Sequence, residues 1–122
     1  MNTLLKLKNK DLSYNADGKK QFHNSGKRQL RKLAREQLGL KDSEFEVRSC
    51  LGGIAVAGEV ILHTDKFYLQ IHESFLGNDG LKVMYRTCNG RKDYTGGQNM
   101  YVSLEHLFTP EFAAKLRKMQ AA

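Results

Sequence analysis

Between Asn24 and Leu40 apolar residues recur every three or four positions, and from Glu44 they recur every second one, so a helix gives way to strands within a few residues. In the first stretch Leu30, Leu33 and Ala34 share one side at about 100° per residue, while Lys27, Arg28, Arg31, Lys32 and Arg35 share the other. Asn24 or Ser25 offers a capping oxygen to the first turn. Gly39 stops the helix in the left-handed position, and Leu40 folds back onto the last turn. Asn24-Ser25-Gly26 argues against a longer helix, although a start near Lys19 would bring Phe22 onto the apolar side. The predicted element is amphipathic with a cationic back.

Beyond it, Phe45, Val47 and Ser49 alternate with Glu44, Glu46 and Arg48 in a half-buried strand that Gly52-Gly53 punctuate. Two β-rich runs then flank Thr64-Asp65. With those two residues as the turn, Leu62 faces Phe67, Ile61 faces Tyr68, Glu59 faces Gln70 and Ala57 faces His72. A Gly-Asn-Asp-Gly loop at 77–80 leads into a strand from Leu81 to Cys88. Asn89 and Gly90 both tolerate the positive φ of a two-residue hairpin turn, which predicts a returning strand from Arg91 to Thr95, stopped by Gly96-Gly97. In that strand Asp93 faces Arg86 and Tyr94 faces Tyr85. Thr109-Pro110-Glu111 opens a closing helix with a capping hydroxyl, a proline at the first position and an acid in the first turn. Phe112, Leu116 and Met119 dock it on the sheet.

The apolar residues of 1–23 follow no sustained period, so this segment reads as a basic, partly ordered arm with one short strand near Leu4–Leu7. Residues 24–122 then form a compact core, and a chain of 122 residues fits a single domain, 1–122. The expected class is α+β: an antiparallel meander of about five strands, an N-terminal amphipathic basic helix and a C-terminal helix. Helices cover one sheet face and leave the other open to solvent.

Charge sharpens this picture. The net charge is +7, and residues 1–43 hold 11 Lys or Arg against 4 Asp or Glu, while residues 44–122 hold 9 against 9. The whole excess lies in the N-terminal third, where it creates a local field that attracts anions. Three of the five helix cations are Arg, whose fork holds phosphate at two points. Lys27, Arg28, Arg31, Lys32 and Arg35 are therefore the principal candidate nucleic-acid contacts, with Lys19 and Lys20 assisting and Arg91 and Lys92 at the hairpin tip. Tyr68, Gln70 and His72 alternate on one strand and are candidate sheet-face contacts of the kind that stack on bases.

Other chemistry finds less purchase. Cys50 and Cys88 lie far apart without a CxxC or a histidine at zinc-ligand spacing, and the GxxxxGK[ST] phosphate loop is absent, so no metal and no cofactor is expected. The two cysteines read as free thiols of a reducing cytoplasm. Lysines interrupt the N-terminus before a signal-peptide core can form, and no stretch is long and apolar enough for a membrane span. Glu59, His63, His72, Glu73, Cys50 and Cys88 are the groups open to catalysis, without an evident third orienting group. The expected function is non-catalytic binding of nucleic acid, DNA or RNA, through its backbone. Alternatives are docking on an acidic protein partner, including inhibition of a nucleic-acid enzyme by the same stripe, and a small ribonuclease.

Overall fold

The computed structural model describes residues 3–73, 80–91, 93 and 97–122. Leu4, Leu7 and Leu12 are buried, and their burial organises the start of the chain. Helix α1 spans Thr3–Leu7, where a strand is expected, and the segment read as a partly ordered arm contributes to the core. The Leu81 amide donates to the Lys8 carbonyl at 2.9 Å, which ties this segment to the sheet.

The main helix also starts earlier than its local signals indicate. Asn15 is the cap, its Oδ1 accepting the Gly18 amide at 3.0 Å, and α2 runs over Ala16–Lys32. Ser25, read as a capping start, and Gly26, read as arguing against a longer helix, lie inside it and are buried. The reason is tertiary: a Cβ at Gly26 would come within 3.0 Å of Val60 Cγ2, so the missing side chain lets the helix settle against the sheet. The helix then widens into a π-helical turn over Leu33–Gln37. It ends as expected, with Gly39 at φ 66° and the Leu40 amide returning to the Ala34 carbonyl at 2.9 Å.

Among the described residues, five antiparallel strands pair in chain order: β1 Phe45–Cys50, β2 Glu59–Thr64, β3 Phe67–Glu73, β4 Leu81–Thr87 and β5 Met100–Ser103. The β2–β3 turn falls on Asp65-Lys66 rather than Thr64-Asp65, because the Thr64 hydroxyl accepts the amides of Lys66 and Phe67, both at 3.1 Å. Glu59 therefore faces His72 and Ile61 faces Gln70. Each partner moves by two residues, which leaves every side chain on its predicted face.

The strand that pairs with β4 is β5, with Met100 opposite Tyr85; of the returning strand expected over Arg91–Thr95, only Arg91 and Asp93 are among the described residues. Asn89 and Asp93 instead close a local turn in which the Asp93 carboxylate accepts the Asn89 amide at 3.0 Å. Met100 and Val102 pack against the core, a role the polar Arg91 and Asp93 cannot fill. Tyr94, Thr95 and Gly96, and residues 77–79 of the expected loop, lie outside the described residues.

Helix α3, Pro110–Ala121, begins as expected, with Thr109 Oγ1 accepting the Phe112 amide at 3.3 Å. Phe112 and Leu116 are buried, and Met119 packs at the core's margin. Arg117 donates to the Gln37 carbonyl at 2.9 Å and Thr64 donates to Gln120 Oε1 at 2.7 Å, so the helix is held at the end of α2 and at the β2–β3 turn.

One apolar cluster joins Phe22 and Leu30 of α2, Leu62 and Leu69 of the sheet, and Phe112 and Leu116 of α3. The helices thus cover one sheet face, and the chain is α+β. On the opposite face a second cluster of Ile61, Tyr68 and Met84 is buried together with His63, His72 and Arg86, so the centre of that face is not the solvent-bathed surface expected. Among the described residues no helix is long and apolar enough to cross a membrane.

Candidate nucleic-acid interface

Because α2 begins at Ala16, its cationic side is longer than predicted and differently composed. At about 100° per residue, Lys20, Lys27 and Arg31 fall in one stripe, with Asn24, Arg28 and Lys32 beside it. Lys20, Arg28 and Lys32 are exposed, and Lys27 and Arg31 partly so. Lys20, Lys27, Arg28, Arg31 and Lys32 make no side-chain hydrogen bond or ion pair among the described residues. From Lys20 to Arg31 the row extends about 16 Å along the axis at 1.5 Å per residue.

Arg35 leaves this row. Its Nε and Nη2 donate to the two carboxylate oxygens of Asp42 at 2.7 and 3.0 Å, and its guanidinium lies 6.0 Å from the centre of the Phe45 ring. The shared hydrogen bonds hold the Asp42 carboxyl below its ordinary pKa and push Arg35 above its own. Arg91 is engaged as well, donating to Asp65 Oδ1 at 3.2 Å and to the Ser43 carbonyl at 2.6 Å. Lys92 lies outside the described residues.

Tyr68, Gln70 and His72 do share a face, but it is the face away from α2, so the helix and the sheet candidates do not form one surface. Tyr68 is buried beneath the Arg86 guanidinium, 4.3 Å above its ring centre, and its hydroxyl donates to Gln70 Oε1 at 3.0 Å. Two of the groups open to catalysis, His63 and Cys88, meet on this face too. Arg48 Nη2 donates to His63 Nδ1 at 3.2 Å, and because a guanidinium only donates, the ring proton sits on Nε2, 3.6 Å from Cys88 Sγ. Burial and the adjacent Arg48 push His63 down, and burial pushes the Cys88 thiol up. Both groups are neutral, unlike the thiolate and imidazolium of a cysteine nucleophile.

A part of the surface that composition did not mark lies where α2 meets the β1–β2 loop, residues 51–58. Three hydrogen bonds pin the loop: Tyr14 N–H to the Ile54 carbonyl at 2.8 Å, Lys19 Nζ to the Gly53 carbonyl at 2.9 Å, and His23 Nε2 to the Ala57 carbonyl at 2.8 Å. Leu51, Ile54 and Val56 project from it into solvent. The sequence hint is a run of apolar residues among glycines with neither a helical nor an alternating period, Leu51-Gly52-Gly53-Ile54-Ala55-Val56.

His23 is buried and neutral, its pKa pushed below 6.5 mainly by burial, with Lys19 and Lys27 adding to the effect. His63 is depressed likewise. Both rings take up protons more readily in the unfolded chain, so their contribution to stability is complete above pH 6.5 and is lost as pH falls below it. The urea midpoint is expected to decline steadily from about pH 7 to about pH 5. A flat profile across that window would contradict two neutral buried rings.

No protein-family model matches the chain, and neither a curated protein nor a solved structure is similar to it.

Proposed function

We propose that this protein binds nucleic acid through the phosphate backbone, without catalysis, using the exposed side of α2. The observation that carries the reading is the row of Lys20, Lys27, Arg28, Arg31 and Lys32, whose charges no acid answers by an ion pair among the described residues. A row of cations on a rigid helix meets a polyanion without first breaking internal bonds, and each phosphate it neutralises releases counterions. Lys19 extends the contact beside Lys20, whereas Arg35 positions the turn that carries Asp42. Base preference is weak, because these contacts fix position and carry no sequence information. Two free thiols, one of them the exposed Cys50, suit a reducing cytoplasm as the working compartment.

The test is fluorescence anisotropy with labelled single- and double-stranded DNA and RNA across a salt series. For the native chain, log affinity is expected to fall against log salt with a slope of about −3 to −5. Lys27→Glu/Arg28→Glu/Arg31→Glu is expected to weaken binding about tenfold or more and to flatten that slope by about three. Absence of binding to all four probes near physiological salt, or binding that the triple reversal leaves intact, would overturn the proposal.

A further inference from the structure

A cleft of about 480 Å³ lies between the first half of α2 and the β1–β2 loop. Lys19, Lys20 and Lys27 stand along its helix side, Leu51 and Ile54 form its loop side, and among the described residues no aspartate or glutamate lines it. Its volume is within the range of about 300–1,000 Å³ that holds small ligands. A smaller hollow between Tyr14, Lys19 and Ile54 adjoins it, since Lys19 and Ile54 line both.

Three features set this cleft apart from a chance hollow. Ile54 and Leu51 are 76% and 57% exposed, although the loop carrying them is fixed by three hydrogen bonds. Tyr14 is held at φ 56°, a conformation that L side chains rarely adopt, and the residue is 74% exposed beside Ile54. Such strain persists where the surrounding structure enforces it, and it gathers at binding sites. Finally, His23 lines the cleft at 3% exposure, and its Nδ1 has no hydrogen-bond partner among the described residues.

The required ligand combines negative charge, met by the lysines, with a flat apolar body that fits against Ile54, Leu51 and the Tyr14 ring. We infer that the cleft takes an unpaired nucleotide, its phosphate on Lys19, Lys20 or Lys27 and its base against the loop, so that single strands are the preferred ligand. A base within a duplex is stacked and paired and cannot enter a concave site unless it is first flipped out. A base has a π-face in every case, which makes such a contact tolerant of sequence. This inference rests on the backbone-binding function proposed above and adds the strand type.

The experiment compares a labelled oligothymidylate, an abasic oligomer of equal length and charge, a duplex, and vesicles of phosphatidylserine, each with the native chain and with Tyr14→Asn/Ile54→Ser. Asparagine tolerates the left-handed backbone at position 14, and both positions are exposed; Leu51→Ser serves as a second variant. The oligothymidylate is expected to bind about tenfold tighter than the abasic oligomer. The double variant removes that margin and leaves duplex affinity unchanged. Equal binding of the two oligomers would overturn the inference while leaving backbone binding in place. Failure of every nucleic acid would overturn both, and vesicle binding in that case would assign the cleft to anionic lipid.

Discussion

Phe22→Ala is expected to lower the unfolding free energy by about 3–5 kcal/mol, the range for emptying a large, fully buried aromatic site. Phe22 is completely enclosed in the main core and meets the His23 ring edge to face at 4.9 Å. The loss is large because Phe22 is fully enclosed in the main core, whose packed elements collapse little into a cavity. Against a total of about 5–15 kcal/mol for a domain, the variant should stand near the edge of stability. Urea denaturation followed by circular dichroism reads the change. A shift below about 0.5 kcal/mol is what a surface position gives, and it would show that residues 16–23 do not dock as described.

Gly58→Ala is expected to cost about 2–5 kcal/mol, the sum of about 1–2 for holding an L residue in the left-handed region and about 1–3 for a forced overlap. Gly58 has φ 76°, and a Cβ there would run into the Cys50 carbonyl oxygen, with the Leu51 carbonyl oxygen at 2.8 Å. Backbone cannot swing aside as a side chain would, so the loop must shift. Gly39→Ala separates the two contributions: Gly39 has φ 66° but nothing within 4 Å of the added carbon, so only the conformational part applies. Equal costs at the two positions would refute the close approach at Gly58. The loop shift should also loosen Leu51 and Ile54, so the margin for oligothymidylate over the abasic oligomer is expected to shrink in Gly58→Ala and persist in Gly39→Ala.

Much of the sheet was legible because its signals are local. Alternation over 45–49, the paired runs around Thr64 and the Thr109-Pro110 start of α3 each depend on residues close in sequence. Even the misplaced β2–β3 turn left the faces right, since a displacement of two preserves the alternation. The failures came where distant contacts outvote local ones. Gly26 reads as a helix breaker until Val60 is placed against it, and Leu4, Leu7 and Leu12 show no period because short, differently oriented segments bury them. Asn89-Gly90 is a sound turn signal, but the apolar Met100 and Val102 determine which later segment pairs with β4.

The candidate site divided along the same line. The cationic side of α2 was visible as sequence, although its membership changed: Lys20 joined the stripe and Arg35 left it for Asp42. The cleft was not visible, because Tyr14, Lys19 and Ile54 come together only when the loop is hung on the helix. Tyr68 and His72 were correctly placed on one face, while their burial depends on neighbours such as Arg86 and on partners across the strands.

Pairing between consecutive strands also bears on how the chain is made. From β2 onward, each strand leaving a ribosome finds its partner already synthesised. The apolar side of α2 has a longer wait, since Phe22, Leu30 and Leu33 emerge well before Val60 and the rest of β2. At about 5–20 residues per second, that side waits a matter of seconds for the sheet, with only Leu4, Leu7 and Leu12 already synthesised to pack beside it. During that interval the lysines and arginines on the opposite side keep the segment positively charged, and charge of one sign opposes association between copies.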